Sequence, residues 1–386
     1  MSRHHLGALC ALAVALTVIA AFAPPAAAWT PAVQISEGSD PSWASDGAAA
    51  GSGASLYVVY LAPTDTEDRA VRLRQSEDGG ATFLPSIILS GAPTSANQPP
   101  SVAAAGSSVY GVWVVGSGAS ERVWLRRSTD AGATWADSVA LTPPGMTLGI
   151  TGVFASGERV FVTYTDLVTH RLLLRRSTNR GATFAAPVDM GASPHGGRAT
   201  MAFSTGVVYI AWAGTNGKIR LRRSTTGGVT WNASVAMQTP ADGGSYSTEP
   251  WLAATGDKAM LVGRSAYLIF SWASADDGRH WGSARHVSGS SHPLAVDPML
   301  IRVPGRWIVT YRACTDDGPN GCEVTPIYLR TSLDGRQWTT ARSMSGAGPA
   351  YNAGLTRTSS NGLTWVVFAW ESWEMAGELK VYAKSR

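Results

Sequence analysis

A repeated pattern of about twelve residues constrains this chain more than any other feature. Each copy has a serine, then an acidic or polar residue, a glycine and finally Trp or Phe. The six copies read RLRQSEDGGATF, WLRRSTDAGATW, LLRRSTNRGATF, RLRRSTTGGVTW, SWASADDGRHW and YLRTSLDGRQW. Their lead serines are Ser76, Ser128, Ser177, Ser224, Ser274 and Ser332, so successive copies are 47 to 58 residues apart. Repeats of this length predict units that share a core with their neighbours.

An apolar run rich in β-branched and aromatic residues precedes each copy, which is typical of a strand. There are seven such runs: LYVVYL, VYGVWV, VFVTYT, VYIAWA, AMLVGR, WIVTYR and TWVVFA. Another strand-like run lies before each of them, and one more follows each copy of the pattern. Four short strands in a repeat of about 50 residues indicate a blade of a β-propeller. A solenoid is the alternative, but it leaves two open ends that need caps.

The two ends of the chain favour the closed ring. The segment LKVYAKSR, residues 379–386, resembles the third strand of a blade that lacks a fourth strand. The segment WTPAVQIS, residues 29–36, matches fourth strands such as WADSVALT. The sequence therefore predicts an all-β, seven-bladed β-propeller of four-stranded antiparallel blades, closed by the N-terminal strand pairing with the C-terminal blade. This single domain is expected to span residues 29–386.

The first 28 residues predict a secretory signal peptide. Basic residues at positions 3–5 precede an apolar run over residues 6–22, and three alanines end at Ala28. We therefore expect cleavage near Ala28 and a secreted, extracellular protein without a membrane span.

Two cysteines of the expected mature chain, Cys314 and Cys322, lie eight positions apart. Outside the cell such a pair predicts a disulfide, which would stabilise the fold by roughly 2–3 kcal/mol. A metal site that uses Asp316 and Asp317 is the alternative, and no metal or other cofactor is expected.

The charge pattern excludes one class of partner. The formal net charge is only +4, and the arginines are spread through the repeats. A nucleic-acid-binding protein would instead carry a basic stripe or an aromatic platform.

The serine pattern resembles the Asp box, or BNR repeat, of the sialidase (neuraminidase) superfamily. Asp78 and Asp130 keep the acid of that motif, whereas Asn179 and Thr226 replace it. The acid is suited to accept hydrogen bonds from nearby backbone N–H groups, and the glycine permits the turn. In the family these turns lie on the face opposite the active site, which implies a structural role here.

The ends of the second strands carry the sharpest chemical signal. At this position the seven runs place Leu61, Val114, Thr165, Ala213, Arg264, Arg312 and Ala369. Two convergent guanidinium groups in adjacent blades would form a receptor for a carboxylate or a phosphate. Structural salt bridges to a neighbouring blade are the alternative.

The sialidase resemblance extends to this region. The segment TEPWLAATGDKAMLVGRS resembles the family's blade in which a glutamate precedes a strand ending in Arg-Ser; it offers Glu249 and Arg264. Arg312 and Tyr351 match the family's next arginine and its tyrosine nucleophile. The resemblance implies that arginines bind the substrate carboxylate while a glutamate activates the tyrosine.

Further residues complete the expected site. The general acid is expected from the loop TDTED, where Asp65 and Asp68 are both candidates, although such a loop can also be simply solvated. Arg198 begins the fourth blade and could converge with the other two arginines. A polar residue also precedes proline at positions 40, 98, 249 and 297. The alternative for Glu249 is therefore structural, as the polar residue that the repeat places before proline.

Two departures from the family leave the function open. The family's Arg-Ile-Pro motif is absent, because the first blade is expected to open with Asp40-Pro41. The family's enzymes also have six blades. The sequence predicts a sialidase-like propeller with an anionic-sugar site, acting on an acidic glycan or glycoconjugate as an exo-acting glycoside hydrolase. The alternative is a non-catalytic glycan- or protein-binding propeller or an assembly scaffold.

Overall fold

Short antiparallel strands account for most of the part of the chain that the structure describes. The structure is a computed structural model, and it describes residues 33–35, 45–63, 69–90, 98–238, 247–289, 294–313, 326–344, 350–360, 363–373 and 379–384. Within these ranges the helices are two single 3-10 turns, Gly118–Ser120 and Thr215–Gly217.

The strands form seven four-stranded antiparallel sheets. The chain begins with β1 (Val33–Gln34), which belongs to the last sheet. Blade 1 contains β2 (Ser45–Ser52), β3 (Ser55–Pro63), β4 (Arg69–Ser76) and β5 (Ile87–Ile88). Blade 2 contains β6 (Ser101–Ala105), β7 (Ser108–Val115), β8 (Arg122–Ser128) and β9 (Val139–Ala140). Blade 3 contains β10 (Gly152–Ser156), β11 (Arg159–Asp166), β12 (Arg171–Ser177) and β13 (Val188–Ala192).

The following blades repeat this order. Blade 4 contains β14 (Thr200–Ser204), β15 (Val207–Ala213), β16 (Ile219–Ser224) and β17 (Val235–Ala236). Blade 5 contains β18 (Ser247–Thr255), β19 (Lys258–Ser265), β20 (Leu268–Ser274) and β21 (Arg285–His286). Blade 6 contains β22 (Ala295–Val303), β23 (Arg306–Ala313), β24 (Ile327–Ser332) and β25 (Arg342–Ser343). Sheet 7 joins β26 (Ala350–Ser360), β27 (Leu363–Trp373) and β28 (Leu379–Lys384) to β1.

The two chain ends meet in sheet 7. Six blades are contiguous in the chain, whereas this seventh sheet is composite: Val33 pairs with Ala383 and Gln34 with Tyr382. The first strands of successive sheets contact one another in the order β2, β6, β10, β14, β18, β22 and β26, and β26 contacts β2. The first strands therefore form a closed ring.

The outer strands are shorter than the sequence predicted. The run ADSVALT contributes only Val139–Ala140 to blade 2. Of the expected N-terminal strand over residues 29–36, the structure describes Val33–Gln34 as a strand. The physical reason is position: a fourth strand is bonded on one side only, and residues such as Val139 there are exposed.

The core lies between the faces of neighbouring sheets. The second strands are buried almost throughout, because a sheet covers each of their faces; β7 and β15 show this pattern. Fully buried Trp113, Trp212 and Trp272 pack in the layers between blades. Burying a large apolar side chain of this kind stabilises the fold by roughly 2–3 kcal/mol. This packing gives a rigid scaffold for the loops at each face.

Candidate functional site

The propeller has two distinct faces. The turn between the third and fourth strands hydrogen-bonds to the hairpin between the first and second strands of the same blade, as in Gly79 N to Ala54 O at 2.9 Å and Ala131 N to Ser107 O at 2.7 Å. We call this side the turn face. The second-to-third and fourth-to-first connections lie at the other end of the strands, which we call the loop face.

The turns that carry the serine pattern are closed by their own side chains, and we call them Ser-x-Asp turns. In blade 1, Asp78 Oδ1 accepts the backbone N–H groups of Ala81 and Thr82, each at 2.9 Å, and Ser76 Oγ donates to it at 2.7 Å. Burial raises the pKa of Asp78, but the hydrogen bonds outweigh this effect and hold it at about 2. The aspartate is thus occupied in holding the turn.

A β-bulge distinguishes four contiguous sheets of the ring. The pairing of first and second strands shifts register in sheets 5, 6, 7 and 1, after Thr248, Val296, Tyr351 and Ser45. In blades 2, 3 and 4 the same pairing is regular. A bulge bends its strand and re-aims side chains, and bulges are frequent beside active sites. The bulges therefore mark this half of the loop face.

The strand register shows which residues are equivalent at these bulges. Arg264 pairs with Thr248, Arg312 with Val296, and Leu61 with Ser45. In sheet 7 the residue at this position is Glu371, which pairs with Tyr351. The sequence comparison placed Ala369 there, and this was wrong because it aligned Phe368 rather than Trp370 with the preceding aromatic position. Two arginines and one glutamate thus occupy equivalent positions in three successive sheets.

Glu249 and Asp297 sit at the bulges themselves, directly after Thr248 and Val296. Both have left-handed backbones, with φ values of 55° and 51°. Residues other than glycine rarely adopt this conformation, which costs about 1–3 kcal/mol and is concentrated at functional sites. The pairs Glu249–Arg264 and Asp297–Arg312 also share the same separation of 15 residues.

Ion pairs and one backbone hydrogen bond join these four residues. Arg264 Nη2 lies 3.0 Å from Glu249 Oε1, and the Asp297 N–H donates to Glu249 Oε2 at 2.9 Å. Arg312 binds Asp297 Oδ2 through both Nε and Nη2. The order is therefore Arg264, Glu249, Asp297, Arg312, and it runs across the junction of blades 5 and 6. We call this group the arginine–acid row.

The row is partly shielded from water. The exposed fractions of its side chains range from 16% for Arg312 to 32% for Glu249. Burial raises the pKa of Glu249, the neighbouring Asp297 charge raises it further, and Arg264 partly opposes both. A carboxyl group with a raised pKa can hold a proton closer to neutral pH, which is the property required of a general acid or base.

The two arginines take part in a structural network. Each ion pair lies within a blade, and the bond from Asp297 to Glu249 connects neighbouring blades. Both arginines lie on the loop face, with the two acids between them in the row. Sequence reasoning noticed residue 297 as a polar residue before proline but gave it no role. The role of Asp297 could have been found from the equal spacing of 15 residues between each acid and its arginine.

The other predicted site residues are placed as follows. Arg198 lines a central channel of about 250 Å³ together with residues of the first strands, and neither Arg264 nor Arg312 lines that channel. The backbone of Tyr351 is in β26, opposite Glu371. Asp65, Asp68, Cys314 and Cys322 lie outside the described residues, as does the predicted signal peptide.

The described residues contain no group of three or more His, Cys, Asp or Glu side chains placed to hold a metal ion. Among the same residues, no helix is long and apolar enough to cross a bilayer.

Comparisons with known proteins show the fold. No protein-family model and no curated protein matches the chain. An ulvan lyase, from a new family of polysaccharide lyases, has 10% identity and a TM-score of 0.58, with 86% of this chain and 90% of the lyase covered. The endosialidase of phage phi92 has 10% identity and a TM-score of 0.52, with coverages of 92% and 68%.

A third solved structure is an α-L-arabinofuranosidase from Fusarium graminearum bound to an iminosugar inhibitor. It has 15% identity and a TM-score of 0.51, with 74% of this chain and 92% of the enzyme covered. Sequence identities this low establish a shared fold only. The chain is therefore similar to β-propellers that include a sialidase and another glycoside hydrolase.

Proposed function

We propose that this chain is a secreted, sialidase-like propeller of the Asp-box type that binds a terminal acidic sugar on its loop face and hydrolyses its glycosidic bond. The observation that carries the proposal is the equivalent placement of Arg264 and Arg312 on adjacent blades. A guanidinium offers a planar fork of donors that matches a carboxylate, and the acids of the row hold each fork in place.

The acids of the row prepare the arginines for this role. Glu249 and Asp297 fix the guanidinium groups before the substrate arrives, so that less side-chain freedom is lost on binding. Because Glu249 has a raised pKa, its protonated form leaves the row with a net positive charge, which favours an anionic sugar. Binding of the sugar and the protonation of Glu249 are therefore coupled.

The nucleophile in this proposal is Tyr351. Its backbone lies in the sheet next to blade 6, at the position equivalent to Thr248 and Val296. A neutral tyrosine is suited to attack an anomeric carbon that bears a carboxylate, since an anionic nucleophile would be repelled. Glu249 is the glutamate that activates the phenol in this proposal, and the backbone of Glu371 pairs with that of Tyr351. Asp65 or Asp68 supplies the proton to the leaving oxygen.

Release of a fluorogenic α-sialoside tests the proposal. We expect activity in the wild type, a loss of about 100-fold or more in Tyr351→Phe, and a rise in KM in Arg312→Met. Arg306→Met is the matched control: Arg306 starts the same strand at the turn face and is exposed, so activity should not change. If the wild type releases no sugar and binds no sialoside, the proposed function is wrong.

A non-catalytic module that binds neutral glycan is the second candidate. Each arginine of the row already has an acid partner, and with all four residues charged the row is neutral. Alternating donors and acceptors of this kind suit sugar hydroxyl groups as well as a carboxylate. Binding of methyl galactoside as tightly as methyl sialoside, with no release of sugar, would favour this module.

A further inference from the structure

The four interfaces from blade 1 to blade 5 are filled in a regular way near the turn face. A cross-strand pair on the second and third strands of one blade faces the Ser-x-Asp turn of the next blade. The pair combines an aromatic ring with a long side chain; the pairs are Tyr57 with Gln75, Tyr110 with Arg127, Phe161 with Arg176, and Tyr209 with Arg223. At the first interface Tyr57 Oη donates to Ala131 O at 3.0 Å, and at the second Arg127 Nη1 donates to Arg180 O at 3.0 Å.

Blade 5 departs from this rule at both positions. The equivalent pair is Met260 and Ala273, two much smaller side chains. They face Gly335 in the turn of blade 6. That turn is also one residue shorter, since Gly335 N bonds to the serine three positions back, whereas Gly80 N bonds to the serine four positions back. Smaller side chains and a shorter turn therefore leave this interface less filled than the four interfaces before it.

A cavity of about 720 Å³ opens at this place. We call it the blade 5–6 groove, and it lies between the second and third strands of blade 5 and the turn of blade 6. Its volume falls in the range of pockets that bind small molecules. Partly exposed Trp281 contributes aromatic surface to its lining, whereas Trp307 is buried, with only 3% of its surface exposed. The groove is on the turn face, at the opposite end of the strands from the arginine–acid row.

Three cations line the groove: Lys258, Arg285 and Arg336. All three are exposed, and their side chains make no hydrogen bond or ion pair with any residue that the structure describes. The two acids of the lining, in contrast, accept hydrogen bonds within their own turns. Asp276 accepts His280 N at 3.0 Å, and Asp334 accepts Arg336 N at 2.8 Å, so both carboxylates hold Ser-x-Asp turns.

We propose that the blade 5–6 groove is a second binding site, which takes an acidic monosaccharide unit. The cations bind the carboxylate through charge-assisted hydrogen bonds, while the indole ring of Trp281 packs against the apolar face of the sugar. The site is separate from the arginine–acid row, so it does not depend on the function proposed above. It would hold a glycan on the turn face while the loop face remains open.

Ligand-observed NMR titration with two probes tests this site. Methyl β-D-glucuronide and methyl β-D-glucoside differ only in the carboxylate. We expect the wild type to bind the glucuronide with a Kd of about 1 mM and the glucoside at least about tenfold more weakly. Arg159→Gln is the matched control: Arg159 is exposed and starts the second strand of blade 3, as Lys258 does in blade 5, so this change should leave both affinities unchanged.

The blocking variant restores the pair that fills the preceding interface. Met260→Tyr with Ala273→Arg reproduces Tyr209 and Arg223 of blade 4, and it should weaken glucuronide binding at least about tenfold while leaving the thermal transition in place. Lys258→Gln and Arg336→Gln are exposed changes that leave the packing intact. They should reduce the preference for the glucuronide even if the filled variant does not fold. Equal binding of the two probes by the wild type, or a preference unchanged by the glutamine substitutions, would overturn the proposal.

Discussion

The backbone N–H of Asp297 donates to Glu249 Oε2 at 2.9 Å, and the two residues occupy the same bulge position in adjacent blades. This bond joins two ion pairs that would otherwise be separate. It also places two carboxyl groups close enough for the charge of Asp297 to raise the pKa of Glu249. The arginine–acid row therefore combines two residues with left-handed backbones, a hydrogen bond between two blades and a carboxyl group with a raised pKa.

The first prediction concerns the pH dependence of stability through Glu249. Its pKa is raised above 4.5, so the folded state retains a proton that the unfolded state has lost. The contribution of Glu249 to the free energy of unfolding is therefore fully present below pH 4.5 and falls as the pH rises through the folded-state pKa. Glu249→Gln lacks this titration. Chemical denaturation from pH 4 to 8 should show the wild type losing stability relative to the variant, and a constant difference would contradict this account.

The second prediction concerns the ion pair of Asp297 with Arg312. Asp297→Ala leaves a guanidinium that is only 16% exposed without its carboxylate. Because the pair is partly solvated, we expect a loss of about 1–3 kcal/mol, less than for a fully buried pair. Glu158→Ala is the control: Glu158 pairs with Arg180 at 3.1 Å, both side chains are more than half exposed, and the expected loss is below about 1 kcal/mol. Urea denaturation measures both, and equal losses would refute the distinction.

Much of the strand order could be predicted from the sequence because its signals are local. Each second strand is covered on both sides, so its run of apolar residues is continuous, and the matching chain ends predicted the pairing of β1 with β28. The bulges could not be predicted, because one extra residue in a strand leaves the composition unchanged. Residue 369 was aligned where the register places Glu371 because Phe368 and Trp370 both fit the aromatic position of the second strand. The blade 5–6 groove was missed for a related reason: Met260 reads as an ordinary apolar strand residue until its cross-strand partner is known.

The third prediction concerns acid sensitivity at the first Ser-x-Asp turn. The pKa of Asp78 is about 2 in the folded state, against 3.8 for an ordinary aspartate. A depressed pKa contributes stability that is present above pH 3.8 and is lost as the pH falls through about 2. Asp78→Asn should keep most of the turn, because Asn179 accepts the Thr183 N–H at 3.0 Å in blade 3. Thermal melts from pH 5 to 2 should therefore show the wild type losing its advantage over the variant, and parallel curves would exclude this role for the carboxylate.

The fourth prediction uses the one described Ser-x-Asp turn that lacks an acid or amide. In blade 4 the Thr226 hydroxyl accepts the Thr230 N–H at 2.9 Å, and it also lies 2.9 Å from Thr230 Oγ1. A carboxylate at this position adds a second acceptor oxygen, as Asp130 shows by accepting both the N–H and the hydroxyl of Thr134. Thr226→Asp should therefore stabilise the fold by about 0.5–1 kcal/mol, reduced by exposure of the turn.

Thr226→Asn separates the geometry of this turn from its charge. Both variants should melt above the wild type near neutral pH. The advantage of the aspartate should disappear as the pH falls below about 3.8, the ordinary value for that side chain, because its stability depends on the ionised form. The asparagine advantage should remain, since an amide does not titrate in this range. A lower melting temperature for both variants at neutral pH would mean that the hydroxyl already satisfies the turn in blade 4.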